Sequence, residues 1–133
     1  MESWTLENLI FENEDYIFQG DLSIEGNVEI KNGNLIVSGN LTIYGEVEIE
    51  NGNIIVSGIL KVICDATINI TGGDISCGAL DCIDINITDG DIWVNGILDA
   101  GNITSDGNIE VGVAAGVGNI TCLNYLIDGD NDS

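Results

Sequence analysis

Basic residues are almost missing from this chain: Lys plus Arg total 2 in 133 residues, against 23 Asp plus Glu, for a formal charge of −21. Nucleic acids and anionic membranes are held by lysines and arginines set against phosphates, so both partner classes are excluded and a basic partner is implied. Histidine is absent. With no C-x-x-C pair among Cys64, Cys77, Cys82 and Cys122, no zinc spacing is present, and neither a metal nor a cofactor is expected. Proline is absent as well, which suits a backbone whose N–H groups are nearly all committed to sheet ladders. Aromatics are 5% of the sequence, so the core must be built of Ile, Val and Leu, and that favours strands. No apolar run approaches the roughly 20 residues of a membrane helix. The acidic start, MESWTLENLIFENED, is unlike the basic opening of a secretory signal. Cys77 and Cys82 fall where buried aliphatics are expected, as in a reduced, cytoplasmic protein.

What the chain does contain is a repeat. Gly33-Asn34-Leu35-Ile36-Val37-Ser38-Gly39 returns 19 residues later as Gly52-Asn53-Ile54-Ile55-Val56-Ser57-Gly58. A short period with turn residues at fixed places marks a solenoid, in which each coil buries its apolar side only against its neighbours. Such regular apolar positions also separate this acidic chain from a disordered one; a salt-adapted proteome would give the same acidity. Coils begin near Glu14, Gly33, Gly52, Gly73, Gly90 and Gly107, with extra length near Ile63, Cys64, Asp65 and Ala66.

Within a coil the apolar residues come as three i, i+2 pairs, as in Leu35/Val37, Leu41/Ile43 and Val47/Ile49. Period-two spacing is that of a strand with one buried face. Three short strands per coil predict an all-β fold, a single-domain right-handed triangular parallel β-helix of about six coils, its handedness following the preference of parallel crossovers. The solenoid is expected over residues 14–122. Residues 1–13 are expected to lie outside the repeat as a cap, in a short helix or lead-in strand, and residues 123–133 as a second cap with an acidic tail. The Gly20, Gly39, Gly58, Gly78, Gly96 column is expected at positive φ. Asn34, Asn53, Asp74, Asp91 and Asn108 should form a polar ladder in which amides bond and carboxylates repel.

The residue between each inward pair points outward. On one face these are Ile17, Ile36, Ile55, Ser76, Trp93 and Glu110. An apolar column is unusual on a solvated face. Either residues 1–13 or the C-terminal segment lies over it, or it is a strip for partner binding or self-association with Trp93 as anchor. This is termed the isoleucine face. A second, the glutamate face, turns Glu29, Glu48, Asn69, Asn86 and Thr104 outward, with Glu50 at its flank; a third, mixed face carries Ser23, Thr42, Lys61, Asp81 and Asp99. Stacked like charges cost stability. Glu29, Glu48 and Glu50 are therefore candidate contacts to a basic partner, against the plainer reading of solvated surface. Asp81 and Asp84 resemble a glycosidase acid pair only in composition, and short-coil acyltransferase helices rely on a catalytic His that this chain lacks. No enzyme is expected.

The phrase Gly20-Asp21-Leu22-Ser23-Ile24-Glu25-Gly26-Asn27-Val28, with Gly33 to Gly58 and three short strands per coil, resembles the bactofilin core over roughly residues 14–120. The resemblance implies a right-handed triangular helix that polymerises end to end without nucleotide. Two functions follow from the sequence: an acidic binder that neutralises a basic protein, of the immunity-protein, antitoxin or nucleic-acid-mimic type, or a bactofilin-like self-assembling scaffold, joined through the solenoid ends or the isoleucine strip.

Overall fold

The computed structural model describes residues 2–63, 67–114 and 118–127. They form a three-sided parallel β-solenoid of about six turns from fifteen strands, numbered in chain order, with every pairing parallel. The mixed face stacks β1 (Glu2–Leu6), β4 (Gly20–Ile24), β7 (Leu41–Ile43) and the second half of β9 (Ile54–Val62), then parts of β11 (Ile75–Thr88), β12 (Ile92–Ser105) and β13 (Asn108–Ala114). The glutamate face stacks β2 (Leu9–Glu12), β5 (Val28–Lys31), β8 (Val47–Glu50), β10 (Thr67–Thr71), then β11, β12 and β14 (Asn119–Thr121). The isoleucine face stacks β3 (Tyr16–Phe18), β6 (Leu35–Val37), β9, β11, β12, β13 and β15 (Asn124–Ile127).

The expected inward pairs fill the axis. Leu35, Val37, Leu41, Ile43 and Val47 are fully buried, and so are Ile54, Leu60, Ile68, Ile75 and Ile85. Each such side chain contributes about 1.5–3 kcal/mol of burial, but only when coils lie on both sides of it, so stability depends on stacking. Cys77 and Cys82 take aliphatic places in this core, as expected. Cys64, the extra length at 64–66 and the tail 128–133 lie outside the described residues.

The segment expected as a cap takes the form of lead-in strands: β1 and β2 stack in register on the next coil. Trp4 and Leu6 pair with Leu22 and Ile24, and Leu9 and Phe11 with Val28 and Ile30. The same alternation that builds later coils is present here. Leu6 and Phe11, with no described residues stacked beneath them, are half-buried, and the Trp4 ring rests on that of Phe18, centroids 5.7 Å apart. The far end behaves alike: Tyr125 and Ile127 extend the columns of Ile109 and Val111 rather than folding over them as a cap.

Two corner expectations also change. In the Gly20 column only Gly20 has positive φ; the other positive values belong to Asn13, Asn32, Asn51, Gly72 and Asp89, at five successive corners between the glutamate and isoleucine faces, and Asp106 at the next corner lacks it. Short Asn and Asp side chains tolerate that conformation. The glycine that follows is needed for close approach instead: a Cβ on Gly52 would fall on the carbonyl oxygen of Gly33, and one on Gly73 on that of Gly52.

In the polar ladder, side-chain Oδ1 accepts from the backbone N–H of the next coil: Asn34 to Asp15 at 3.0 Å, Asp74 to Asn53 at 2.8 Å, Asp91 to Asp74 and Asn108 to Asp91 each at 2.7 Å. Only an acceptor is required, so Asp serves as well as Asn, and its carboxylate gains a charge-assisted bond where repulsion was expected. Similar ladders at the other corners run through Asn8 and Asn27, and through Asp21 and Asn40.

Candidate partner-binding surface

The parallel register places Ile17 beside Ile36, Ile36 beside Ile55, and Ile55 beside Ser76, with Trp93, Glu110 and Leu126 continuing the column. Ile17 is 66% exposed, Ile55 40% and Trp93 59%; Ile36 is partly covered by its neighbours in the column. The described parts of the two segments expected as covers lie elsewhere. β1 and β2 belong to the other two faces, and β15 sits at the end of the column rather than across it. Leu126 therefore extends the strip, a role hidden from the sequence because the last coil lacks the Gly-Asn phrase. Beside Trp93 is a cavity of about 300 Å³ lined by Ser76, Cys77 and Asn95.

On the glutamate face Glu29 stands directly opposite Glu48, and Lys31 opposite both Glu12 and Glu50. Lys31 Nζ is 3.9 Å from Glu50 Oε1, with both side chains more than half exposed. Such a pair contributes at most about 1 kcal/mol. The three glutamates named from sequence are brought together around a shallow depression of about 300 Å³, also lined by Ile10, Phe11, Glu12, Ile30 and Lys31. Glu12 and Ile10 belong to it because residues 1–13 form a coil. The i, i+2 spacing of Leu9 and Phe11, with Ile10 and Glu12 alternating outward, was the available signal.

The two residue groups lie on adjacent faces. Between them is the corner of Asn32 and Asn51, whose side chains hydrogen-bond in a ladder, Asn51 Nδ2 donating to Asn32 Oδ1 at 3.2 Å. A partner touching both groups must reach around that corner.

Further along the glutamate face the charge gives way to Asn and Thr. All four Asn-Ile-Thr triplets lie there, with Asn86 Nδ2 donating to Asn69 Oδ1 at 3.2 Å and Asn119 Nδ2 to Asn102 Oδ1 at 3.1 Å. Asp84 joins this ladder by accepting from Asn102 Nδ2 at 3.0 Å, while Asp81 faces outward between Lys61 and Asp99 on the mixed face. The corner at Ile83 separates the two acids.

Burial pushes the Cys77 thiol up to about 12. Cys82 is raised to about 11, again mainly by burial, with the Asp84 and Asp81 carboxylates adding to it and backbone hydrogen bonds opposing it. Both are neutral thiols at pH 7, packed as small apolar groups rather than poised as nucleophiles. Among the described residues no group of three or more His, Cys, Asp or Glu is arranged to hold a metal ion, and no helix is long and apolar enough to cross a membrane. In comparisons with protein-family models, curated proteins and solved structures, the chain matches none.

Proposed function

We propose that the protein is a non-enzymatic, acidic binding protein that neutralises a basic protein partner, in the manner of an immunity protein or antitoxin, or of a nucleic-acid mimic. The observation that carries this reading is the uncovered column Ile17, Ile36, Ile55 and Trp93 one corner away from the clustered Glu29, Glu48 and Glu50. Acids supply a long-range field that speeds encounter, and the apolar column supplies the dry contact that slows release. With a net charge of −21, a cationic surface is the complementary one.

The test is affinity capture of cationic proteins from the source cell on three immobilised forms: wild type, Glu29→Gln/Glu48→Gln/Glu50→Gln, and Trp93→Ala. The same partner should be retained by wild type and depleted on both variants. Equal retention on all three would overturn the reading.

A second reading is favoured by the ends. Half-buried Leu6 and Phe11 with exposed Trp4 at one end of the described coils, and exposed Tyr125 and Ile127 at the other, are apolar cross-sections beside strand edges that no described residue pairs. Coil-on-coil stacking between molecules would make a scaffold of the bactofilin type. Light scattering over a concentration series separates the two: steady growth supports the scaffold, and a constant mass supports the binder.

A further inference from the structure

The isoleucine column has a repeat of its own, and that repeat bears on the partner's secondary structure. From Ile17 to Trp93 four of five coils turn an apolar residue outward, Ser76 being the exception, and the coils recur at the strand spacing of about 4.8 Å. An extended chain laid along the axis presents same-side residues about 6.7 Å apart and falls out of step within two coils. A strand crossing at right angles meets only a coil or two. An α-helix advances 5.4 Å per turn, so laid along the axis it departs from the coil spacing by only about 0.6 Å per step and stays within about half a step over four coils. Resting on the proposed binding function, we infer that the partner element seated on Ile17, Ile36, Ile55 and Trp93 is an amphipathic α-helix with basic residues along one flank.

Charge at the borders of the column specifies that flank. Toward the glutamate face the border positions include Asp15, Asp74 and Asp91, all exposed, each using Oδ1 for the next coil. The opposite border is neutral, with Gln19, Ser38 and Ser57. A helix lying on the column therefore meets acids on one side only. Ile17 to Trp93 is four coil steps, about 19 Å, which about 13 helical residues span at 1.5 Å each.

A second copy of this chain is a poor occupant. A column about 19 Å long and 10 Å wide offers on the order of 200 Å², well short of the roughly 800 Å² per partner in a stable interface. Each copy would also bring its own charge of −21. A basic helix makes up the shortfall by reaching the acidic border.

The inference is tested with two synthetic 18-residue peptides of identical Leu, Lys and Ala content. One places Leu at helical i, i+4, i+7, i+11 positions with Lys on one flank, and the other places Leu at alternate positions. Calorimetry gives affinity, circular dichroism gives peptide helicity on binding, and amide shift changes in the protein give the location. The helical pattern should bind at least tenfold more tightly, gain helicity and shift the strand amides around Ile36, Ile55 and Trp93. Ile17→Ser/Ile55→Ser, at exposed positions, should reduce that affinity at least tenfold. Equal affinity for the two peptides, or shifts confined to the glutamate face, would overturn the helix inference while leaving a charge-based acidic binder standing. Binding of neither peptide at low salt would overturn both.

Discussion

Asn34 Oδ1 accepts two hydrogen bonds from Asn53, one coil on: 3.1 Å from the backbone N and 3.0 Å from Nδ2. Asn53 repeats the first of these toward Asp74. Corner N–H groups that no strand ladder reaches are thus satisfied by side chains, which is what lets three short strands per coil close without buried orphan donors. Asn53→Ala should lower unfolding free energy by about 0.5–1.5 kcal/mol, because the exposed Asp74 N–H exchanges its acceptor for water. Asn53→Asp should lower it by less, since the acceptor remains. Urea melts of the two variants provide the comparison.

Glycine at the same corner has a separate role. A Cβ on Gly52 would meet the Gly33 carbonyl oxygen, whereas one on Gly96 would come within 2.8 Å of the Gly78 oxygen with its next neighbour at 3.9 Å. Gly52→Ala is expected to cost about 3 kcal/mol, at the upper end for overpacking, and Gly96→Ala clearly less. Thermal melts in one buffer rank them.

Glu14 occupies the Gly33 column one coil earlier, where no described residue lies beneath it to supply a colliding oxygen. That same relaxation concealed the first coil from sequence reading: Asn13 keeps the positive φ of Asn32 and Asn51, but the Asn-Gly pair that signals the corner is gone. The middle coils were legible because every coil there repeats both the phrase and the alternation, and alternation alone fixes which residues point out. Ile17, Ile36, Ile55, Trp93, Glu29 and Glu48 accordingly lie on the faces expected. Whether anything covered them was not legible, since coverage depends on where the terminal segments pack. The close approach at the glycine columns was likewise unreadable, because glycine serves positive φ and tight contact equally.

The buried thiols make stability depend on alkaline pH. Cys77 and Cys82 are raised to about 12 and about 11 from an ordinary thiol value of 9.0. Above pH 9 the unfolded chain loses these protons before the folded one does, so the folded state is the one that binds more protons. Their contribution is complete below pH 9 and declines by about 1.4 kcal/mol per pH unit for each thiol, levelling off near pH 11 for Cys82 and near pH 12 for Cys77. Cys77→Val/Cys82→Val should flatten the dependence between pH 9 and 11. Denaturant midpoints at pH 8, 9 and 10.5 measure it.

Stacked Glu29 and Glu48 place binding against stability. Glu48→Gln should raise stability by a few tenths of a kcal/mol by relieving a like-charge pair on adjacent strands. The same change, combined with Glu29→Gln and Glu50→Gln, should slow association with the basic partner at low salt and leave dissociation nearly unchanged, because exposed charges act by steering and are screened beyond about 8 Å at physiological ionic strength. Stopped-flow association across a salt series reads the effect.

The central claim is that the isoleucine column is a contact surface and not part of the fold's interior, and Trp93 is its bulkiest exposed side chain. The deciding measurement is the dissociation rate of the captured partner from Trp93→Ala, with the melting temperature of the free variant beside it. A rise of about 30-fold, equivalent to about 2 kcal/mol, with an unchanged melting temperature is the result expected. An unchanged dissociation rate with a lowered melting temperature would contradict the claim.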